Sequence, residues 1–222
     1  MKYVHFLIMF TAFALLTACN LEPFEEGTNP VKPEQTYVQE ESSMFIKNEQ
    51  NQIFSFETND TNFLCINGYT LWTVPNTNSN ESFSPINVET VKESGRSEAG
   101  FGLVFCEQKI NDKPFMLTVL INANGYYTVG KVFDGVFSHI NDGWKSSNYI
   151  NKGYGIKNIL TVTYDPNSKN FLLKINGYEI TSFTVSEQIS FKNSRSGFAV
   201  VIANNESFPS KSVKVTFENK YS

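Results

Sequence analysis

Histidine is almost missing from this chain of 222 residues, which has two histidines, three cysteines and few arginines. A structural zinc site needs four thiolate or imidazole ligands in close groups, and Cys19, Cys65 and Cys106 stand far apart. Any serine-hydrolase triad would have to use His139, the one histidine past the N-terminal segment. The formal net charge is −4. This argues against a nucleic-acid partner, which demands a basic stripe, and against binding to anionic lipid headgroups. Gly-rich phosphate loops are absent. Beyond the first eighteen residues no apolar run approaches the roughly 20 residues that cross a bilayer. No i, i+3, i+4 apolar spacing is sustained there either, so helices are not expected.

What is present begins at the N-terminus. Lys2 precedes an uncharged apolar run, Phe6 to Leu16, and then Leu16-Thr17-Ala18-Cys19. The run is short for a membrane span. Small residues before a cysteine distinguish it from a plain secretory leader. Leu16-Thr17-Ala18-Cys19 resembles a bacterial lipobox, which implies that residues 1–18 are a lipoprotein signal peptide. It also implies that the Cys19 thiol carries diacylglyceryl and becomes the mature N-terminus. Each buried methylene contributes about 0.8 kcal/mol, so two or three acyl chains hold firmly to a lipid bilayer. The expected location is the cell envelope. Asn20, where an aspartate would signal inner-membrane retention, leans this towards the outer membrane or cell surface of a Gram-negative organism.

Residues 19–42 read as a tether, with Pro23, Pro30, Pro33 and six glutamates (22, 25, 26, 34, 40 and 41). Proline and self-repelling charge favour an extended chain. Residues 43–222 then suffice for one domain with a real core. Lipidation of Cys19 leaves Cys65 and Cys106. An even pair in an oxidising compartment suggests a disulfide; the alternative is two buried thiols acting as small apolar groups.

The domain reads as short strands between turns. Runs rich in Val, Ile, Thr, Tyr and Phe recur from Ile53–Phe56 to Ser212–Glu218. Asn67-Gly68, Asn124-Gly125 and Asn176-Gly177 are dipeptides that accept positive φ in tight hairpins. Asp165-Pro166-Asn167-Ser168 fits a turn with φ fixed by proline. Across the Asn176-Gly177 turn, Phe171, Leu173 and Ile175 share one face. Beyond it, Tyr178, Ile180 and Ser182 should alternate with Glu179, Thr181 and Phe183. Many short strands in one domain of this size predict an all-β sandwich or jelly roll.

The central phrases carry a resemblance. They are Ala99-Gly100-Phe101-Gly102-Leu103-Val104-Phe105, Asn124-Gly125-Tyr126-Tyr127-Thr128-Val129-Gly130-Lys131, Asn158-Ile159-Leu160-Thr161-Val162 and Phe171–Gly177. In this order they resemble the concanavalin A-like, laminin G-like jelly rolls of bacterial surface proteins, especially the 3-keto-disaccharide hydrolase type. The resemblance implies a β-sandwich of two antiparallel sheets. It leaves activity open, because function resides in sites placed on folds. Gly100 and Gly102 should permit close backbone approach or a bulge, and Asn158 should tie a loop to a strand start.

Catalytic motifs of that superfamily are incomplete. Family-16 glycoside hydrolases carry Glu-x-Asp-x-(x)-Glu on one strand, where period two aligns the carboxylates; no Glu-x-Asp occurs here. Glu89 and Glu93 could share a face, which most simply makes a solvated edge. Arg96-Ser97-Glu98 lacks the second arginine and the partner motifs of the alginate-lyase strand. His139 reads as a rim residue. Asp134 and Asp142 could contribute to a calcium site, but no dense oxygen-ligand loop accompanies them. The most suggestive stretch is Asn141–Gly155, which sets Trp144, Tyr149 and Tyr154 among polar residues, with one of Tyr126 and Tyr127 facing outward nearby. Such rings can stack on sugar faces; alternatively, Trp144 folds back to close one end of the sandwich. Together these features point to a non-catalytic module that binds a glycan or an extracellular protein. A 3-keto-glycoside hydrolase and a structural envelope spacer are the alternatives.

Overall fold

A computed structural model describes residues 45–48, 52–65 and 69–220. Cys19, the tether 19–42 and the Asn67-Gly68 turn lie outside them, as does the side chain of Cys65. The described chain is all-β. Its strands are β1 (Phe45–Asn48), β2 (Ile53–Thr58), β3 (Tyr69–Thr77), β4 (Ile86–Ser94), β5 (Phe101–Ile110), β6 (Lys113–Ile121) and β7 (Tyr126–Phe133). They continue with β8 (Val136–His139), β9 (Lys145–Ser146), β10 (Lys157–Asp165), β11 (Asn170–Ile175), β12 (Tyr178–Phe183), β13 (Arg195–Ile202) and β14 (Val213–Asn219).

Two antiparallel sheets face each other. The first runs β1-β2-β14-β4-β10-β11-β12; the second runs β3-β13-β5-β6-β7-β8, with β9 paired to β7. Successive strands cross between sheets, from β4 to β5 and from β12 to β13 to β14, which makes the sandwich a jelly roll.

Period-two alternation builds the core. Phe171, Leu173 and Ile175 from β11 meet Leu103 and Phe105 of β5, Leu117 and Val119 of β6, and Val215 and Phe217 of β14 in one buried cluster. Removing each such side chain from water contributes about 1.5–3 kcal/mol. Phe198 of β13 stacks on Phe217 of β14 at 4.6 Å between ring centroids, tying the sheets together.

The second sheet is apolar on its outer face as well. Trp72, Val104, Met116, Leu120, Val132 and Ala199 form a separate buried cluster under Phe137 and Trp144. Strands covered on both sides need no alternation, which accounts for the continuous apolar runs in β5 and β6.

Gly102 fulfils its expectation: a Cβ there would lie 2.1 Å from the Val119 carbonyl oxygen. Cys106 sits at an irregularity of β5 with φ 53°. Its thiol is free and buried, and burial pushes its pKa upward. The other member of the expected pair, Cys65, has its side chain outside the described residues.

Candidate functional site

Two asparagine side chains assemble the site. Asn158, buried at the start of β10, accepts a hydrogen bond from the Asn151 N–H at 2.8 Å and donates to the Asn151 carbonyl at 2.9 Å. This clasps the end of the Asn141–Gly155 loop, as expected of it. Asn176 takes the left-handed conformation (φ 53°) and is followed by Gly177 (φ 85°), the geometry of the expected hairpin turn. Its Oδ1 accepts from the Ile159 N–H at 2.8 Å; its Nδ2 donates to Asn158 Oδ1 at 2.9 Å and to the Tyr149 carbonyl at 2.7 Å. Tyr149 is thereby fixed beside the residue that follows the turn. The Tyr149 and Tyr178 rings stack at 4.3 Å with 17° between planes, and both are about half exposed.

Next to this pair opens a cleft of about 330 Å³, lined by Tyr127, Ser146, Ser147, Asn148, Tyr149, Glu179 and Ile180. A bulge shapes its wall. In β12 the register shifts so that Thr181 opposes Leu173 while Glu179 opposes Lys174. The strict alternation expected for Glu179, Thr181 and Phe183 therefore fails at Ile180, because two residues of a bulged strand face one on its partner. Glu179 is turned to the side of Lys174, whose ammonium lies 3.1 Å away. A smaller cavity lies under the apolar cluster on the outer face of the second sheet. It measures about 20 Å³, with Thr70, Trp72, Thr118 and Phe137 among its walls. That is room for a water molecule and not for a sugar.

The aromatics singled out in sequence separate. Tyr149 enters the cleft. Trp144 folds back, but onto the outer face of the second sheet; a Cβ on Gly100 would lie 2.9 Å from its ring. Tyr126 is exposed while its neighbour Tyr127 is buried in the main core, so the outward tyrosine of that pair is Tyr126. Tyr154 is exposed and donates its hydroxyl to the Gly95 carbonyl, outside the cleft. Tyr178 and Glu179 were missed. The signal that could have found them is Asn176-Gly177, since a tight turn displays the residues just after it at the sandwich edge.

The remaining candidates have structural partners. Glu89 and Glu93 do share the outer face of the first sheet. Glu89 pairs with Lys157 at 2.6 Å and Lys220 at 3.5 Å, and Glu93 pairs with Lys214 at 3.2 Å. The lysine bonds hold the Glu89 carboxyl below its ordinary pKa. Glu98 lies 3.7 Å from Arg96. His139 is exposed at the rim; its Nδ1 lies 2.8 Å from the Thr128 hydroxyl, and partial burial lowers its pKa. Asn141 bonds that same hydroxyl and the Val129 N–H, not the other imidazole nitrogen, and Thr128 is fully buried. No triad is formed by these residues. Asp134 pairs with Lys113 at 2.6 Å, and Asp142 lies in solvent 3.9 Å from Lys145. Among the described residues no three His, Cys, Asp or Glu side chains are grouped to hold a metal ion.

Fold and cleft together define the class as a concanavalin-like jelly-roll β-sandwich with an open, aromatic-walled cleft. No protein-family model and no curated protein matches the chain. Solved structures do. One is the carbohydrate-binding module CBM66 from Bacillus subtilis, at 11% identity and TM-score 0.51, covering 79% of this chain and 88% of that one. Another is a native glycosidic hydrolase, at 8% identity and TM-score 0.52, covering 86% and 84%. At such identities the likeness establishes the fold.

Proposed function

We propose that this chain is a lipid-anchored envelope protein whose sandwich is a non-catalytic glycan-binding module. The observation that carries the reading is the cleft beside the stacked Tyr149–Tyr178 pair. Exposed aromatic faces pack against the C–H faces of a pyranose. Ser146, Ser147, Asn148 and Glu179 offer hydroxyl, amide and carboxylate partners for sugar hydroxyls. A volume of about 330 Å³ lies at the small end of ligand sites, matching one or two sugar rings. The shared fold with a carbohydrate-binding module supports the same reading. Lipid on Cys19 and the acidic tether would present the module away from the bilayer.

The likeness to a glycosidic hydrolase is compatible with a second reading, a carbohydrate-active enzyme, for which the sequence resemblance suggests the 3-keto-glycoside type. Glycoside hydrolysis generally uses two carboxyl groups about 5–10 Å apart, whereas the cleft lining contains one, Glu179. Binding is therefore preferred to turnover.

The test is a glycan array probed with the full-length chain in detergent. Binding should appear and should weaken about two- to tenfold in Tyr149→Ala and in Tyr178→Ala, since an aromatic contact contributes about 0.5–1.5 kcal/mol. Silence on glycans together with binding to an extracellular protein would overturn the glycan assignment. Turnover of a 3-keto-glycoside would favour the enzyme.

A further inference from the structure

We infer that the cleft selects neutral glycans and discriminates against acidic ones; this rests on the glycan-binding reading. The residues lining it are three polar side chains, two tyrosines, Ile180 and Glu179, and none is cationic. Recognition of a uronate, sialate or sulfate calls for a guanidinium fork or an ammonium directed at the anion. The two arginines of the chain are engaged elsewhere. Arg195 holds Glu107 through Nη2 at 2.7 Å, and Arg96 donates to Asn205 at 3.0 Å while lying 3.7 Å from Glu98.

Two cations near the cleft have carboxylates beside them, and a third, Lys152, lays its methylenes over Gly125 without entering the lining. Lys174 lies 3.1 Å from Glu179 on the β11 side in a pair open to solvent, which offsets only part of the carboxylate's charge towards the cleft. Lys145, beside Ser146 on β9, lies 3.9 Å from Asp142. The one formal charge exposed on the lining is thus the Glu179 carboxylate, whose side chain is 67% exposed. A neutral sugar can donate its hydroxyls to this carboxylate. An acidic sugar stacked on Tyr149 would bring a second anion towards it. At about 4 Å two like charges repel by about 1 kcal/mol even at the dielectric of water, and more near a protein surface. An amino sugar carrying an ammonium group gains the same interaction with opposite sign.

The experiment measures binding of the full-length chain in detergent to three polymers of matched backbone: a neutral glucan, its carboxylated derivative and an amino-sugar polymer. At low salt the carboxylated polymer should bind at least fivefold more weakly than the neutral one, and the amino-sugar polymer at least as well. The gap should narrow in high salt, because the Debye length is about 8 Å at 0.15 M and about 3 Å at 1 M. Glu179→Gln should bring the neutral-to-acidic ratio towards one. Equal or tighter binding of the acidic polymer overturns the inference and leaves the glycan reading intact. A ratio unchanged by Glu179→Gln assigns the selectivity to the net charge of the chain and overturns its placement in the cleft. Failure to bind any of the three, with silence on the array, removes the glycan reading itself.

Discussion

Lys92 points into the sandwich from β4, where Val88, Thr90 and Lys92 alternate inward against Glu89, Val91 and Glu93. It is 1% exposed; its ammonium donates to the Ala99 carbonyl at 2.9 Å and lies 5.6 Å from the Phe101 ring centroid. Burial lowers its pKa from 10.5 to about 8, against the opposing pull of Glu206 and Glu98. Glu206, also buried, accepts the Arg96 N–H, and burial raises its pKa. The folded chain thus loses this proton above about pH 8, while the unfolded chain keeps it up to about pH 10.5. Between about pH 8 and 10.5 the unfolded state binds more protons, so stability should rise with pH there. The full gain is about 3 kcal/mol at about 1.4 kcal/mol per pKa unit. Urea unfolding at pH 7, 8 and 9.5, below the range of most tyrosine ionisation, should recover about 2 kcal/mol of it, and Lys92→Met should flatten the slope. A constant midpoint in the unaltered chain would reject the assignment. The inward phase of Lys92 was legible in the alternation of β4. The buried carbonyl that accepts from it was not, because that partner lies beyond a turn.

At the scale of elements, the strands, the Asn176-Gly177 turn and the Asn158 clasp follow from local sequence, since each is a short-range requirement of φ, parity or amide bonding. The site was less legible. Tyr149 and Tyr178 are brought together by a long-range bond, from the Asn176 amide to the Tyr149 carbonyl across the gap between loop and hairpin. The bulge at Ile180 broke the expected parity without a glycine or proline to announce it. The fold of Trp144 onto the second sheet depends on Gly100, whose missing side chain leaves room for the ring. Gly102 and Gly100 therefore predict different outcomes. An alanine at Gly102 meets the backbone of Val119 at 2.1 Å, which cannot yield without parting β5 from β6. Gly102→Ala should cost about 1–3 kcal/mol or more, the range of overpacked cores. An alanine at Gly100 meets a side chain, so Gly100→Ala should cost less and shift tryptophan fluorescence as Trp144 moves. Thermal melts of both variants, with emission spectra, decide this; equal losses would mean that Trp144 is as fixed as the backbone.

At the scale of the whole molecule, the proposed lipid on Cys19 would divide the labour with a small cleft that has one aromatic platform. Because Tyr149 and Tyr178 already stack on each other, a sugar can contact the pair only from outside, and a single such contact gives modest affinity. Many copies held in one bilayer by Cys19 would change that. Once one cleft engages a polysaccharide, its neighbours bind at a high effective concentration, and avidity can exceed a single affinity by about 10²–10⁴. The tether 19–42 would supply the reach for several sandwiches to engage one polymer, since charged, proline-bearing linkers stay extended. Cys19→Ser should therefore leave the affinity of one cleft for a short oligosaccharide unchanged. It should also abolish incorporation of labelled palmitate and remove the retention of protein-bearing liposomes on a polysaccharide-coated surface. Liposome retention that survives Cys19→Ser would place the anchor elsewhere in the chain. Loss of oligosaccharide affinity in the same variant would mean that the anchor region takes part in the site rather than presenting it.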